Sequence, residues 1–250
     1  MTGDAERRKI EEEFHDRAAR VDETTFYDFG ALDEPDAYLI ATLGDLRGKA
    51  LLEIGCGIGT NTIAFARAGA FVTALDISSE MVAVARERAA REGLSERVLT
   101  IHSSVEEMDF PEGSFDVVYG HSVLHHLELS SAIPRIARAL RPGGIASFLD
   151  PLDHNPILNG MRKLTPDIRT PTEKPLSTED IRAIGRSFSS LDRQEFHFLS
   201  LAAFVWYYVV RNERFFRATL GVLSKLDRMV FRTMPSLRRF AWVTVLTFKR

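Results

Sequence analysis

At 250 residues the chain can bury one sizeable core. Hydrophobic residues at 45% and charged residues at 27% are ordinary for a globular protein, and a net charge of −3 singles out no partner. One cysteine, Cys56, excludes an internal disulfide and fits a reducing cytoplasm; the polar start MTGDAERRKIEEEF argues against a secretion signal, and the longest apolar run, 199–210, falls short of the ~20 residues that span a bilayer.

Ile10, Phe14 and Ala18, spaced by four, predict a helix over 5–21. Residues 22–36 are acidic and aromatic and read as a loop, followed by a helix over 36–43. Strands at 50–54, 71–75, 98–102, 115–119 and 145–149 then alternate with helices at 60–68, 79–91 and 131–140, Ser78 or Ser79 capping the second. That alternation predicts a parallel, doubly wound sheet. Five prolines in 151–177 predict a structured loop across one end of the sheet. Ser177, with Asp180 at the third position, opens another helix; 190–199 and 240–248 alternate as strands, and the stretch between them has helical character.

Charge is unevenly spread. Residues 203–250 hold ten Lys and Arg against Glu213 and Asp227, a surplus of eight that leaves −11 for the rest. Within this stretch, 203–234 sets aromatic and aliphatic residues among arginines. Such a basic amphipathic segment suits an anionic membrane surface or a greasy substrate, or forms a helical hairpin packed on the core with its arginines in water.

The strongest chemical signal is Leu51-Leu52-Glu53-Ile54-Gly55-Cys56-Gly57-Ile58-Gly59-Thr60, an apolar strand running through a glycine turn into a helix. Gly55 and Gly57 let the backbone approach a ligand where a Cβ would collide. Glycine turns of this kind also hold dinucleotides. Here an acid, Glu53, precedes the first glycine: it would repel a pyrophosphate but not a ligand bearing an ammonium and a sulfonium. Asp76 ends the next strand, where a carboxylate can accept both hydroxyls of a ribose, and Ile77 would lie against a flat base. Alone, each piece is also an ordinary strand end; the combination is far more specific. Cys56, inside the turn, reads as a small spacer.

With these motifs in order, residues 50–150 resemble the class I S-adenosylmethionine (SAM)-dependent methyltransferases. In that resemblance Gly55, Cys56, Gly57 and Gly59 form the first motif, Asp76 matches the ribose-binding acid, the segment from Ser104 and Val105 to Asp116 meets adenine, and Leu140-Arg141-Pro142-Gly143-Gly144 precedes the fifth strand. The resemblance implies a Rossmann-like α/β fold: a seven-stranded, mostly parallel sheet with one antiparallel strand, an N-terminal helical lid and a helical insertion before the last strand. It implies SAM as cofactor and methyl transfer to an oxygen or nitrogen of a small-molecule acceptor, lipid-linked or secondary-metabolite types included. It assigns 1–45 to a lid, 46–151 to the cofactor core, and 152–250 to a substrate-side loop, helices and the final two strands. Ser104 stands where the family often has an aspartate, so it and the Val105 N–H share adenine recognition; His121 matches a position beside the methionine part of SAM.

A hydroxyl acceptor needs a base, and histidine is the natural one near neutral pH. His125 and His126 follow the fourth strand and His154 the fifth, on the side where open α/β sheets bind ligands; packing roles are the plainer alternative. Asp150 and Asp153 lie near the same end. The segments 14–17 and 26–29 could cover the cofactor or merely anchor to the core, and Arg169 or Lys174 could hold an anionic group. No metal ligands and no nucleic-acid reader module stand out. A non-catalytic SAM-binding or membrane-associated protein and a nicotinamide-dependent oxidoreductase are the competing readings.

Overall fold

A computed structural model describes residues 2–20, 30–164, 170 and 172–250. Helix α1 (Thr2–Arg20) and α2 (Asp33–Thr42) precede an alternating run: β1 (Ala50–Ile54), α3 (Thr60–Arg67), β2 (Phe71–Asp76), α4 (Ser79–Arg91), β3 (Val98–His102), β4 (Phe115–His121), α5 (Leu129–Ala139) and β5 (Leu140–Pro151). Then come α6 (Pro156–Leu164), α7 (Thr178–Gly185), β6 (Ser190–Phe196), α8 (Phe204–Tyr208), α9 (Glu213–Thr233) and β7 (Val243–Lys249).

The strands form one seven-stranded sheet in the order β3-β2-β1-β4-β5-β7-β6. All pairings are parallel except those of β7, which runs antiparallel to both β5 and β6. The expected architecture is thus the observed one. Leu52, Ile54 and Val118 face one layer of the core while Leu51, Val117 and Tyr119 face the other, so the central strands are apolar on both faces.

Strand register sets up the site. Ile54 pairs with Leu75 on one side and Gly120 on the other, and Asp76 pairs with His102. The residues leaving β1, β2, β3 and β4 therefore emerge side by side at the carboxyl edge. The chain order reverses between β1 and β4, the crevice where doubly wound sheets take ligands. Gly120 keeps β4 close: a Cβ there would come within 2.6 Å of Val123 and 2.7 Å of Phe148.

Several boundaries differ from the sequence reading, among them β6, which ends at Phe196 rather than 199, and β7, which starts at Val243 rather than 240. The region 151–177 is not simply a loop, since it carries α6. Pro156 sits at its first position, where its missing N–H costs nothing, and Asn155 Oδ1 accepts from Ile157 N at 3.0 Å and Leu158 N at 3.3 Å. Strand β5 starts at Leu140 rather than 145, because Leu140 pairs with Phe115 before an irregularity between Phe115 and Val117. Helix α2 begins at Asp33, inside the expected loop, and α5 at Leu129. The capping reading holds at both sites: Ser78 accepts from Met81 N, and Ser177 and Asp180 form a reciprocal capping box. Among the described residues no helix is long and apolar enough to cross a membrane.

Candidate active site

The glycine turn is built for close approach. Gly55, Gly57 and Gly59 all have positive φ, at +70°, +52° and +80°. A Cβ on Gly55 would press on Val123 at 3.0 Å and one on Gly59 on Ala85 at 2.9 Å, whereas a Cβ on Gly57 would point into open space. Gly55 N and Cys56 N both donate to Leu75 O, at 2.8 and 3.1 Å, which clips the turn to the end of β2. Asp76 braces it from below: Oδ2 accepts from Gly57 N at 2.8 Å and Oδ1 from Ser78 N at 2.9 Å. Each oxygen keeps a second lone pair for a further donor.

These parts wall a cavity of about 170 Å³. Gly55, Gly57, Asp76, Ile77, Ser104, Val105 and His121 all line it, seven of the ten positions expected to meet cofactor. Ser104 Oγ is buried on this wall with no hydrogen-bond partner among the described residues. A native protein seldom leaves a buried hydroxyl unpaired unless something else binds it.

Glu53, Cys56 and Gly59 do not line the cavity; they stand behind the turn. Glu53 is 1% exposed and accepts from Thr62 Oγ1 at 2.5 Å, tying β1 to α3. Burial pushes its carboxyl up to about 8, so it is neutral at pH 7. The expected repulsion of a pyrophosphate by Glu53 therefore loses its charge, and the acid's part is to hold the turn. Burial likewise pushes the Cys56 thiol well above the ordinary range, which leaves it an inert spacer.

The three histidines considered as bases fall in different places. Only His126 lines the cavity. His125 is 8% exposed, with Nδ1 at 2.8 Å from Asp150 Oδ1, and burial holds its pKa below the usual histidine value. That pair fastens the turn after β4 to the end of β5, which is the packing alternative. His154 pairs with Asp153 away from the cavity wall. His121 lines the cavity and meets Asp36 Oδ1 at 2.9 Å, joining β4 to α2.

Helix α1 closes the other wall with Arg7, Arg8, Glu11 and His15. Arg7 joins Glu106 and the His126 carbonyl, Arg8 meets Glu107 at 2.9 Å, and Asp16 accepts from Ser78 Oγ at 2.5 Å at the start of α4. Glu11 is 3% exposed: Oε1 accepts from the hydroxyls of Thr170, at 2.9 Å, and Thr172, while Oε2 lies 3.0 Å from His126 Nδ1. Burial works to raise the Glu11 carboxyl, but His126 and the two hydroxyls outweigh it and hold it down to about 2. Burial, and then the charge of His126, pushes His15 below its ordinary value. The segment 14–17 thus lies against the site, while 26–29 and Arg169 fall outside the described residues. Lys174 Nζ is an exposed neighbour of Asp180 at 3.8 Å, and its backbone N donates to His125 O at 2.7 Å.

Sequence reasoning missed Arg7, Glu11 and the role of Thr170 and Thr172. Charged residues on a helix that is polar all round read as a solvated face, and only the fold places one of them beneath a loop 159 residues away.

Comparison with known proteins bears on the core of this geometry. The profile of a family described as "Methyltransferase domain" matches residues 52–148. That match takes in 97 of the 250 residues, the strands β1 to β5 with the glycine turn and Asp76 among them. The chain is 39% identical over 99 residues to the 27-O-demethylrifamycin SV methyltransferase of Amycolatopsis mediterranei, covering 39% of this chain and 36% of that one. It is 41% identical over 123 residues to a ubiquinone biosynthesis O-methyltransferase of Xanthomonas oryzae pv. oryzae, covering 48% and 49%. The chain spans about a third to a half of the length of the first such relatives. In fold, the chain is similar to the magnesium protoporphyrin IX methyltransferase of Synechocystis with bound SAH: TM-score 0.60, 20% identity, 98% of this chain and 99% of that one. A Haemonchus contortus phosphoethanolamine N-methyltransferase in complex with S-adenosyl-L-methionine gives TM-score 0.62 at 19% identity over 87% of this chain and 52% of that one. The matched domain ends before α6–α9, β6 and β7, and begins after α1 and α2.

Proposed function

We propose that the chain binds SAM in the cavity at the carboxyl edge and transfers its methyl group to an oxygen or nitrogen of a small-molecule acceptor. One observation carries this reading. An open glycine turn, a strand-end carboxylate and an unpaired buried hydroxyl, three unlike features, share one cavity wall. Gly55 and Gly57 take the amino-acid tail, Asp76 the ribose hydroxyls, and Ile77, Ser104 and Val105 the adenine. His121 borders the methionine part. Glu53, Cys56 and Gly59 shape the turn from behind.

The chemistry asks little of the protein beyond alignment. A lone pair on the acceptor attacks the methyl carbon as the carbon–sulfur bond breaks and its electron pair returns to sulfur. Placing the two partners in line is the main catalytic contribution. The acceptor gives up a proton, and of the three histidines expected as bases His126 is the one that lines the cavity and can influence that step. Helix α1 within 1–45 acts as the lid over 46–151, and 152–250 supplies acceptor-side structure. Similarity to a demethylrifamycin methyltransferase and a ubiquinone biosynthesis O-methyltransferase supports a small molecule as acceptor. Titration calorimetry should give micromolar binding of SAM and of its demethylated product SAH. NADH binding in place of SAH would favour the oxidoreductase reading instead.

A second reading concerns where the enzyme works. Helix α9 packs inward through Phe216 and Phe231, yet Phe215, Val222 and Met229 on its outer side are 57%, 67% and 57% exposed, flanked by exposed Arg214, Lys225 and Arg232. None of these residues lines the cavity, so the greasy-substrate role for 203–234 gains no support. The stripe suits peripheral contact with an anionic membrane. Vesicles containing a third phosphatidylserine should carry the protein upward in flotation at low salt and release it at high salt. No flotation at low salt removes this reading.

A further inference from the structure

Glu11 and His15 are one helical turn apart on α1, on the face that closes the cavity, and His126 meets them from the short helical turn Leu124–His126. One ligating atom from each lies within 4.8 Å of the others. Glu11 Oε2 is 3.0 Å from His126 Nδ1 and 3.7 Å from His15 Nε2. Around a tetrahedral ion with bonds of about 2.0–2.1 Å, ligand atoms sit about 3.3 Å apart, so the two measured spacings bracket the required one.

We propose that Glu11, His15 and His126 form a divalent transition-metal site at the acceptor end of the cavity. This rests on the methyl-transfer reading for its purpose, but not for its existence. The carboxylate is arranged as a ligand would be. Its Oε1 is taken by the Thr170 and Thr172 hydroxyls, which orient the group, while Oε2 is buried, faces both imidazoles and makes no hydrogen bond of good geometry. The 3.7 Å contact to His15 is too long for a hydrogen bond, and the 3.0 Å ion pair of Glu11 Oε2 with His126 Nδ1 is the contact that a bound ion would replace. His125 does not compete as a ligand through Nδ1, which is committed to Asp150 at 2.8 Å. Two imidazoles and one carboxylate suit zinc, cobalt, nickel or iron rather than magnesium or calcium. Three protein ligands also leave a position open on the cavity side, the mark of a catalytic rather than a structural zinc site.

An ion held there acts as a Lewis acid on an acceptor hydroxyl or phenol. The bound oxygen loses its proton to water, attacks the SAM methyl carbon, and forms the new carbon–oxygen bond as the carbon–sulfur bond breaks toward sulfur. The acceptor class is then an alcohol or phenol able to reach the ion, which narrows the oxygen-or-nitrogen choice to oxygen.

The test uses the full chain, stripped with a chelator and titrated with Co²⁺ while visible absorption is recorded. The expected result is one equivalent bound with the intense d–d bands of a four- or five-coordinate ion, displaced by Zn²⁺. Glu11→Gln and His15→Ala should each weaken Co²⁺ binding 10-fold or more, with circular dichroism confirming that they fold. Absence of stoichiometric Co²⁺ binding to the wild-type chain, or equal affinity in folded His15→Ala, overturns the site. SAH calorimetry on the stripped protein runs alongside. SAH binding without Co²⁺ binding sinks the metal site alone, and loss of both sinks the cofactor reading as well.

Discussion

At the scale of single residues, burial decides what each acid does. Asp76, at 7% exposure, sits on the cavity wall with lone pairs to spare, whereas Glu53, one strand away and 1% exposed, faces the other way into Thr62. The state of Glu53 is open to a test by pH. Because the folded-state pKa of Glu53 is raised to about 8 from 4.5, the native state holds a proton that the unfolded chain has released. Its contribution is therefore fully present below about 4.5 and fades as pH rises to about 8, at up to about 1.4 kcal/mol per pH unit. Glu53→Gln should abolish that falling limb, gaining stability relative to wild type between pH 5 and 8 in urea melts at fixed salt. A pH dependence identical in the two proteins would show Glu53 to be ionised when folded. Ser104→Ala deletes a neutral hydroxyl and should weaken SAH binding modestly, by about 0.5–1.5 kcal/mol or some 2- to 12-fold in Kd. An unchanged Kd would remove Ser104 from adenine recognition.

At the scale of elements, positions with no freedom are the informative ones. Gly59 caps α3 at φ +80° with Ala85 of α4 only 2.9 Å from where a Cβ would stand. Gly59→Ala should destabilise the fold by about 1–3 kcal/mol through strain and overpacking, read in thermal or urea unfolding. Gly57→Ala meets open space inside the cavity, so its stability cost is limited to the +52° backbone, while SAH affinity should suffer more. Asn155→Ala should cost about 1 kcal/mol by uncapping α6. These elements also show what the sequence could disclose. The core strands, the glycine turn and the Ser177 cap were legible because apolar runs, glycines and capping residues act over a few positions. Helix α6 was hidden because its prolines and asparagine read as loop signals, although Pro156 and Asn155 are the residues that start it. The α1 wall was hidden more deeply: its contacts to Glu106, His126, Thr170 and Thr172 join positions about 100 residues or more apart, and no local pattern records them.

At the scale of the whole molecule, the matched segment 52–148 and the remainder contribute different walls of the cavity. Four strand ends in the matched segment make one cavity wall, while α1 from outside it makes the opposing wall and α9 offers an apolar, basic outer stripe. The C-terminal part is anchored by Asp227, buried in α9, which accepts from Phe198 N, Leu199 N, Ser200 N and Ser200 Oγ at 2.6–3.2 Å. Replacing Asp227 with Ala leaves four donors unmatched and should cost about 2–4 kcal/mol, enough to loosen α9 without touching the cavity. SAH affinity should then stay near wild type in conditions where the variant is folded, a separation that hydrogen exchange on α9 would confirm.

The cofactor assignment stands on Asp76, and one comparison of affinities tests it most directly. Titration calorimetry of SAH against wild type and Asp76→Ala, with melting curves to verify folding, should show micromolar binding reduced by about 10- to 150-fold, the worth of hydrogen bonds to a charged group at 1.5–3 kcal/mol. Equal SAH affinity in a folded Asp76→Ala protein, or no SAH binding by the wild-type chain, would contradict the account.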